Sequence, residues 1–171
     1  MKKKFIFFPI TFFLISAIVL PTNFTGLSSG LGTHSLAGGT LGYTIAETDF
    51  QAFILGFLSH ALLDLMPHHD PNQNDPVELS FYSLFNLGGL WTSKEIYEET
   101  GGDSRFLWGA IGGILPDLEH IFYSDNCVGG NCPNKIYPAH NGTIPHHGDA
   151  PAFQGYLTET TVIGMCLTIY F

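Results

Sequence analysis

The stretch Asp49-Phe-Gln-Ala-Phe-Ile-Leu-Gly-Phe-Leu-Ser-His60-Ala-Leu-Leu-Asp64-Leu-Met66 decides the reading of this chain. Its apolar residues recur at helical spacing, Thr48 and Asp49 stand where N-caps belong, and Pro67 stops the pattern. The stretch is predicted to be a helix. His60 and Asp64 then project from one face of its C-terminal half, with Cβ atoms about 5–6 Å apart.

Outward from this helix the chain alternates apolar helical patterns with glycine- and proline-marked breaks. Small and apolar residues at 34–45 predict a preceding helix, and residues 68–78 form a polar loop of Asp, Asn and Pro. Helical spacing resumes at 81–97, turns at Gly101 and Gly102, and continues at 103–115, where Gly109, Gly112 and Gly113 make a thin face suited to close helix contact. Residues 124–151 carry glycines, prolines and two cysteines and are read as a long irregular loop. Residues 156–171 are apolar and rich in β-branched side chains; a final helix is expected, since there is no second clear strand for them to pair with. The fold class is all-α, a compact helical domain of about five or six helices with one long irregular loop.

The N-terminus has a different character. Lys2, Lys3 and Lys4 precede a run free of charge at 5–20, the order of an export signal. Residues 1–21 are read as a signal peptide or a signal anchor, residues 22–32 as a linker, and residues 33–171 as one metal-binding domain. A bilayer core asks for roughly 20 apolar residues and Pro9 weakens the helix, so cleaved and anchored forms both stay open. The expected address is exported, membrane-anchored or extracytoplasmic.

With the three N-terminal lysines set aside, Lys94, Arg105 and Lys135 face all 15 acidic residues. Phosphate backbones are bound by clustered Lys and Arg, so a nucleic-acid partner is not expected. Cys127 and Cys132 flank a flexible Val-Gly-Gly-Asn and can close a small disulfide loop, stay as thiols, or contribute to a zinc knuckle with distant histidines. Cys166 lies in an apolar stretch and reads as core.

The 8 histidines outnumber the 6 Lys and Arg together, and most stand near carboxylates at helix ends. The first group is His60, Asp64, His68, His69 and Asp70; the second is Asp117, Glu119 and His120, following Pro116; the third is His140, His146 and His147 in the long loop. His34 stands apart in Thr33-His34-Ser35. A histidine or a His-x-x-x-Asp pair taken singly is more often a hydrogen-bonded residue, ion pair or cap. Three groups together point to a divalent cation, with zinc favoured because imidazole nitrogen and carboxylate oxygen both suit it. The expected metal ligands are His34, His60, Asp64, His68, His69, Asp117, His120, His140 and His146, holding one to three ions. Asp117 and Glu119 are the expected catalytic residues, with Asp70 and Asp149 as further candidate bases.

The His60-x-x-x-Asp64 helix ending in Pro67-His68-His69, the Gly112-x-x-x-Pro116-Asp117 pattern and the Thr33-His34 pair together resemble small membrane-bound metal-dependent hydrolases. More distantly they are similar to zinc-dependent phospholipase C and its single-strand nuclease relatives, helical proteins that bind zinc through His and Asp. The resemblance implies that His60, Asp64, His34 and one of His68 or His69 are ligands, and that Asp117 bridges metals. The chain departs from the secreted phospholipases in order: its Pro-Asp element follows the His-x-x-x-Asp helix, no histidine has Glu four residues on, and its tryptophans are Trp91 and Trp108. The expected function is hydrolysis of an ester or phosphoester at the cell envelope, on a small-molecule or lipid substrate, with membrane association. The alternative is a non-catalytic metal-binding or structural protein.

Overall fold

The helix starts are written locally. At Thr48 the side chain accepts from Gln51 N (3.2 Å) while Gln51 Oε1 accepts from Thr48 N (3.2 Å), a reciprocal box that satisfies two orphan donors. Asp75 accepts from Val77 N and Glu78 N, with Pro76 in the first turn, and Asp103 accepts from Arg105 N at 2.9 Å. The computed structural model describes residues 30–66, 69, 75–119, 135–138, 140, 141, 143 and 151–171. Among them the regular elements are α1 (Leu31–Ile45), α2 (Asp49–Asp64), α3 (Pro76–Glu99), α4 (Ser104–Ile114), a 3-10 turn (Pro116–Leu118) and α5 (Ala152–Leu167).

The all-α reading holds, with shifts at the boundaries. α1 starts at Leu31, inside the stretch read as linker, and α3 starts at Pro76 because the Asp75 cap and Pro76 act ahead of the first periodic apolar residue. The C-terminal residues form a helix despite their β-branched content, since α5 packs along α1. Gly101 and Gly102, both left-handed at φ 74° and 75°, turn the chain from α3 into α4. The N-terminal segment 1–29, Cys127 and Cys132 lie outside the described residues.

α1 is the hub: residues 31–40 are all buried, and it touches each of the other four helices. Its neighbours come close because the contact points are glycines. A Cβ on Gly38 would strike the carbonyl of Gly109, and one on Gly109 would strike that of Gly38; a Cβ on Gly56 would also meet Gly109. α1, α2 and α4 therefore meet backbone to backbone. Polar ties add register: Ser35 to Ser93 (2.9 Å) and Gly32 N to Asn86 Oδ1 (3.1 Å) join α1 to α3. The apolar core is small, formed around Leu36, Ile96, Phe106, Ala110 and Cys166, so Cys166 is a core residue as read.

Gly56→Ala should lower stability by about 3 kcal/mol, the upper part of the usual overpacking range. Gly164 on α5 has nothing within 4 Å of the added carbon, so Gly164→Ala should raise stability by about 1 kcal/mol through helix propensity. Thermal unfolding in mild detergent checks both, and equal effects of the two substitutions would refute the glycine-contact account.

Candidate metal centre

Three backbone segments converge where the glycine contacts bring them. The N-terminal half of α1 carries His34, the last two turns of α2 carry His60 and Asp64, and the 3-10 turn after α4 carries Asp117. Gly113, at the end of α4, packs against the carbonyl of His34 and offers its own carbonyl to His60 Nδ1 at 2.7 Å. A carbonyl only accepts, so Nδ1 of His60 carries the proton and Nε2 points inward with its lone pair when the ring is neutral.

His140 arrives from the loop and is held the same way. Glu119 Oε1 accepts from His140 Nδ1 at 2.6 Å, while Glu119 Oε2 accepts from Ile136 N (2.8 Å) and Tyr137 N (3.0 Å). Tyr137 wedges in beside them, edge-on to His60 with ring centroids 5.1 Å apart, and donates its hydroxyl to Phe57 O (3.2 Å). Burial, then the nearby Asp64 and Asp117 carboxylates, raise the Tyr137 pKa, so it stays a neutral donor.

The inward atoms close on one another. His60 Nε2 lies 3.4 Å from His140 Nε2, 3.3 Å from Asp64 Oδ2 and 3.6 Å from Asp117 Oδ1. His140 Nε2 lies 3.4 Å from Asp64 Oδ2, and His34 Nε2 lies 3.6 Å from Asp64 Oδ1, with the His34 and His60 rings stacked at 4.0 Å. Asp64 Oδ2 is buried and makes no well-formed hydrogen bond despite these neighbours. Burial works against a charged His60 ring, but the Asp117 and Asp64 carboxylates outweigh it and lift the pKa to about 9. Burial likewise opposes ionised Asp64, and the His140 and His60 rings outweigh it, holding the carboxyl well below its usual range. The pocket is built for positive charge, and two groups, His34/His60/Asp117 and His60/Asp64/His140, could hold a metal ion.

Of the sequence-based candidates, His34, His60, Asp64, Asp117 and His140 meet in this centre. His69 does not: it is paired with Glu78 at the start of α3 and faces Tyr156, and it belongs to neither ligand group. A carboxylate at the start of the next helix, Glu78, takes the ring. Both oxygens of Glu119, expected to be catalytic, are engaged with His140 and its loop. His68, Asp70, His120, His146, His147 and Asp149 lie outside the described residues. The sequence reading missed Tyr137, the Gly113 carbonyl and Glu159. Glu159 is a buried carboxylate on α5 that accepts from Thr33 Oγ1 at 3.2 Å. With His34 it lines a cavity of about 20 Å³, room for one water.

No family model, curated protein or solved structure matches the chain.

Removing the orienting carboxylate should loosen His140 without removing a ligand. Glu119→Gln should weaken divalent-metal affinity about 10–100-fold, read by chelator competition with the far-ultraviolet spectrum unchanged. His69→Ala should leave that affinity as it is, and a comparable loss there would restore His69 to the centre.

Proposed function

We propose that the chain is a zinc-dependent hydrolase of the cell envelope, acting on an ester or phosphoester of a small molecule or lipid. The observation that carries the metal is a triangle. His60 Nε2, His140 Nε2 and Asp64 Oδ2 stand 3.4, 3.4 and 3.3 Å apart. Ligands on a tetrahedral zinc at about 2.0–2.1 Å are separated by about 3.3–3.4 Å, so the three atoms match one face of such a site. Their outer nitrogens already donate elsewhere, as histidine ligands require. Without a cation between them, it takes a proton on His60 Nε2 to keep two lone pairs from facing each other at that distance.

Among the described residues this triangle supplies three ligands and leaves a fourth position, the arrangement of catalytic rather than structural zinc. Zinc held there supplies Lewis-acid activation of water and offsets charge developing on an ester or phosphoester oxygen. The chain's own residues do the rest. Glu119 and the Gly113 carbonyl fix the rings, Asp64 offers its second oxygen toward His34, and Asp117 stands 3.6 Å from His60, positioned to orient a water or to share a second ion with His34. The envelope address rests on the Lys2–Lys4 run and the apolar residues 5–20.

A structural metal site is the second reading, favoured by the burial of His34, His60, Asp64, Asp117 and His140 alike. Cobalt separates the two. In the substituted protein, added acetate or azide should shift the visible spectrum if a coordination position is open, and leave it fixed if four protein ligands close the site.

The zinc assignment is tested on untagged full-length protein purified in metal-supplemented buffer. At least one equivalent of zinc is expected, and less than one would sink the proposal. His60→Ala and Asp64→Ala should each weaken affinity by on the order of 100-fold or more and abolish hydrolysis of a chromogenic phosphodiester or ester; retained metal in both would refute this ligand set.

A further inference from the structure

Polarity in this bundle is distributed inside out. Among the described residues, 14 polar or charged side chains are buried against 12 apolar ones, while 18 large apolar side chains are exposed. The clearest instance is α2. Phe50, Ile54, Leu58, Leu62 and Leu65 recur at intervals of four, four, four and three along its outer face, with exposures of 72, 38, 54, 61 and 46%. Residues 50–63 include no Asp, Glu, Lys or Arg. At 1.5 Å per residue the stripe runs about 22 Å. Trp108 of α4, itself part-exposed, contacts Phe53 edge-on and extends the surface sideways.

The charges have been moved to the ends. The α1–α2 and α3–α4 junctions meet through Ser104 Oγ to Asp49 Oδ1 (2.8 Å) and Arg105 to Ala46 O (2.9 Å). Glu47, Asp49, Asp103 and Arg105 therefore gather at one end of the bundle, joined by Lys94, Glu95, Glu98 and Glu99 from the last two turns of α3. Asp75 and Glu78 stand at the opposite end of that helix. The flank of α2 between its ends is left bare.

We infer that the outer face of α2 lies against the acyl chains of a lipid bilayer. Patches of this size on a water-soluble surface mark an interaction site, and three observations choose hydrocarbon as the occupant. Beyond Gln51 in the first turn, whose amide oxygen is taken by Glu47 N and Thr48 N, the face offers no polar or charged side chain along its length for a protein partner to pair with. Exposed apolar side chains also stand on α3 (Val77, Phe81), α4 (Leu107, Trp108) and α5 (Phe153, Leu157, Met165), so a surrounding medium satisfies them where one docked copy covers one face. And 29 residues precede Gly30, which borders Leu63 and Met66 at the C-terminal end of α2. The charge-free run at 5–20 is thus tethered to the same end of the same helix. Those 16 residues can cover a single helix face and leave the others bare. No helix among the described residues is long and apolar enough to cross a membrane, so the contact is lateral or interfacial and not a span. Close glycine packing around a polar interior is what helices adopt where burial of apolar surface supplies no drive to associate.

This inference is independent of the zinc proposal, since it uses the face of α2 opposite His60 and Asp64. Full-length protein is reconstituted in phosphatidylcholine vesicles carrying a phospholipid with a diazirine at the end of one acyl chain. After illumination, adducts are mapped by mass spectrometry. Adducts on the α2 peptide, at residues 50–65, are expected; adducts confined to residues 1–29 would overturn the inference. In parallel, Leu58→Cys and Glu98→Cys are labelled in vesicles with a membrane-impermeant maleimide and read peptide by peptide. Cys at 58 should react at least about tenfold more slowly than Cys at 98, independently of protein-to-lipid ratio. Equal rates, or protection of position 58 that disappears on diluting the protein in lipid, would assign the face to water or to a second copy and overturn it.

Discussion

Everything in this molecule depends on the contact of three backbones at Gly38, Gly56 and Gly109. Helices normally pack 8–10 Å apart because side chains keep them there. With no Cβ at the crossing, α1, α2 and α4 come closer, and the carbonyl of one helix lies against the glycine of the next. The approach gives up apolar burial in exchange for dispersion contacts and short polar reach. It explains why the apolar core is small, and why histidines and aspartates on three separate segments can touch one another. Wider spacing would leave His34, His60 and Asp117 too far apart to share a cation.

The same proximity creates the molecule's principal electrostatic problem. Asp64 and Asp117 are buried, Glu119 is nearly so, and all three stand among imidazoles. Unpaired buried charge costs several kcal/mol even after relaxation, and partly satisfied networks are worse than apolar packing. A proton on His60 relieves some of it, as the upward pull on that ring shows. A divalent cation relieves more, because it draws on every inward lone pair at once. With a cation held there, folding and binding would be coupled: part of the free energy of binding would go into holding these carboxylates together.

The helices were legible because their punctuation is local. Thr48, Asp75 and Asp103 cap where they stand in the sequence, and Gly101 and Gly102 turn where left-handed backbone is needed. His60 and Asp64 were legible for the same reason, since four residues on a helix is a fixed geometry. His34, Asp117 and His140 could be named only as members of clusters, because their meeting depends on a glycine interface and on the Glu119–His140 contact, with partners up to 106 residues from His34 in sequence. The pairing of His69 with Glu78 was not legible, because nothing near His69 in the sequence points to a carboxylate on the next helix. The part played by Glu119 was hidden more deeply: a carboxylate that orients a ligand and one that accepts a proton look identical until both of its oxygens are traced.

Gly113 shows how closely packing and chemistry are joined. Its missing side chain lets α4 lie against the carbonyl of His34, and its own carbonyl fixes the tautomer of His60. Any larger residue there would have to displace α1, and that displacement would carry His34 away from Asp64 and rotate the acceptor from under His60. The site therefore cannot be moved, widened or retuned without moving the interface that holds three helices together. A substitution at Gly113 reports on both at once, whereas Glu119 touches the loop that delivers His140 and spares the helix contacts. The candidate centre thus has a rigid half, built on helices, and an adjustable half, built on Glu119, Tyr137 and His140. Among the described residues, the adjustable half is the side from which the geometry around a cation could be altered while the helix contacts are kept.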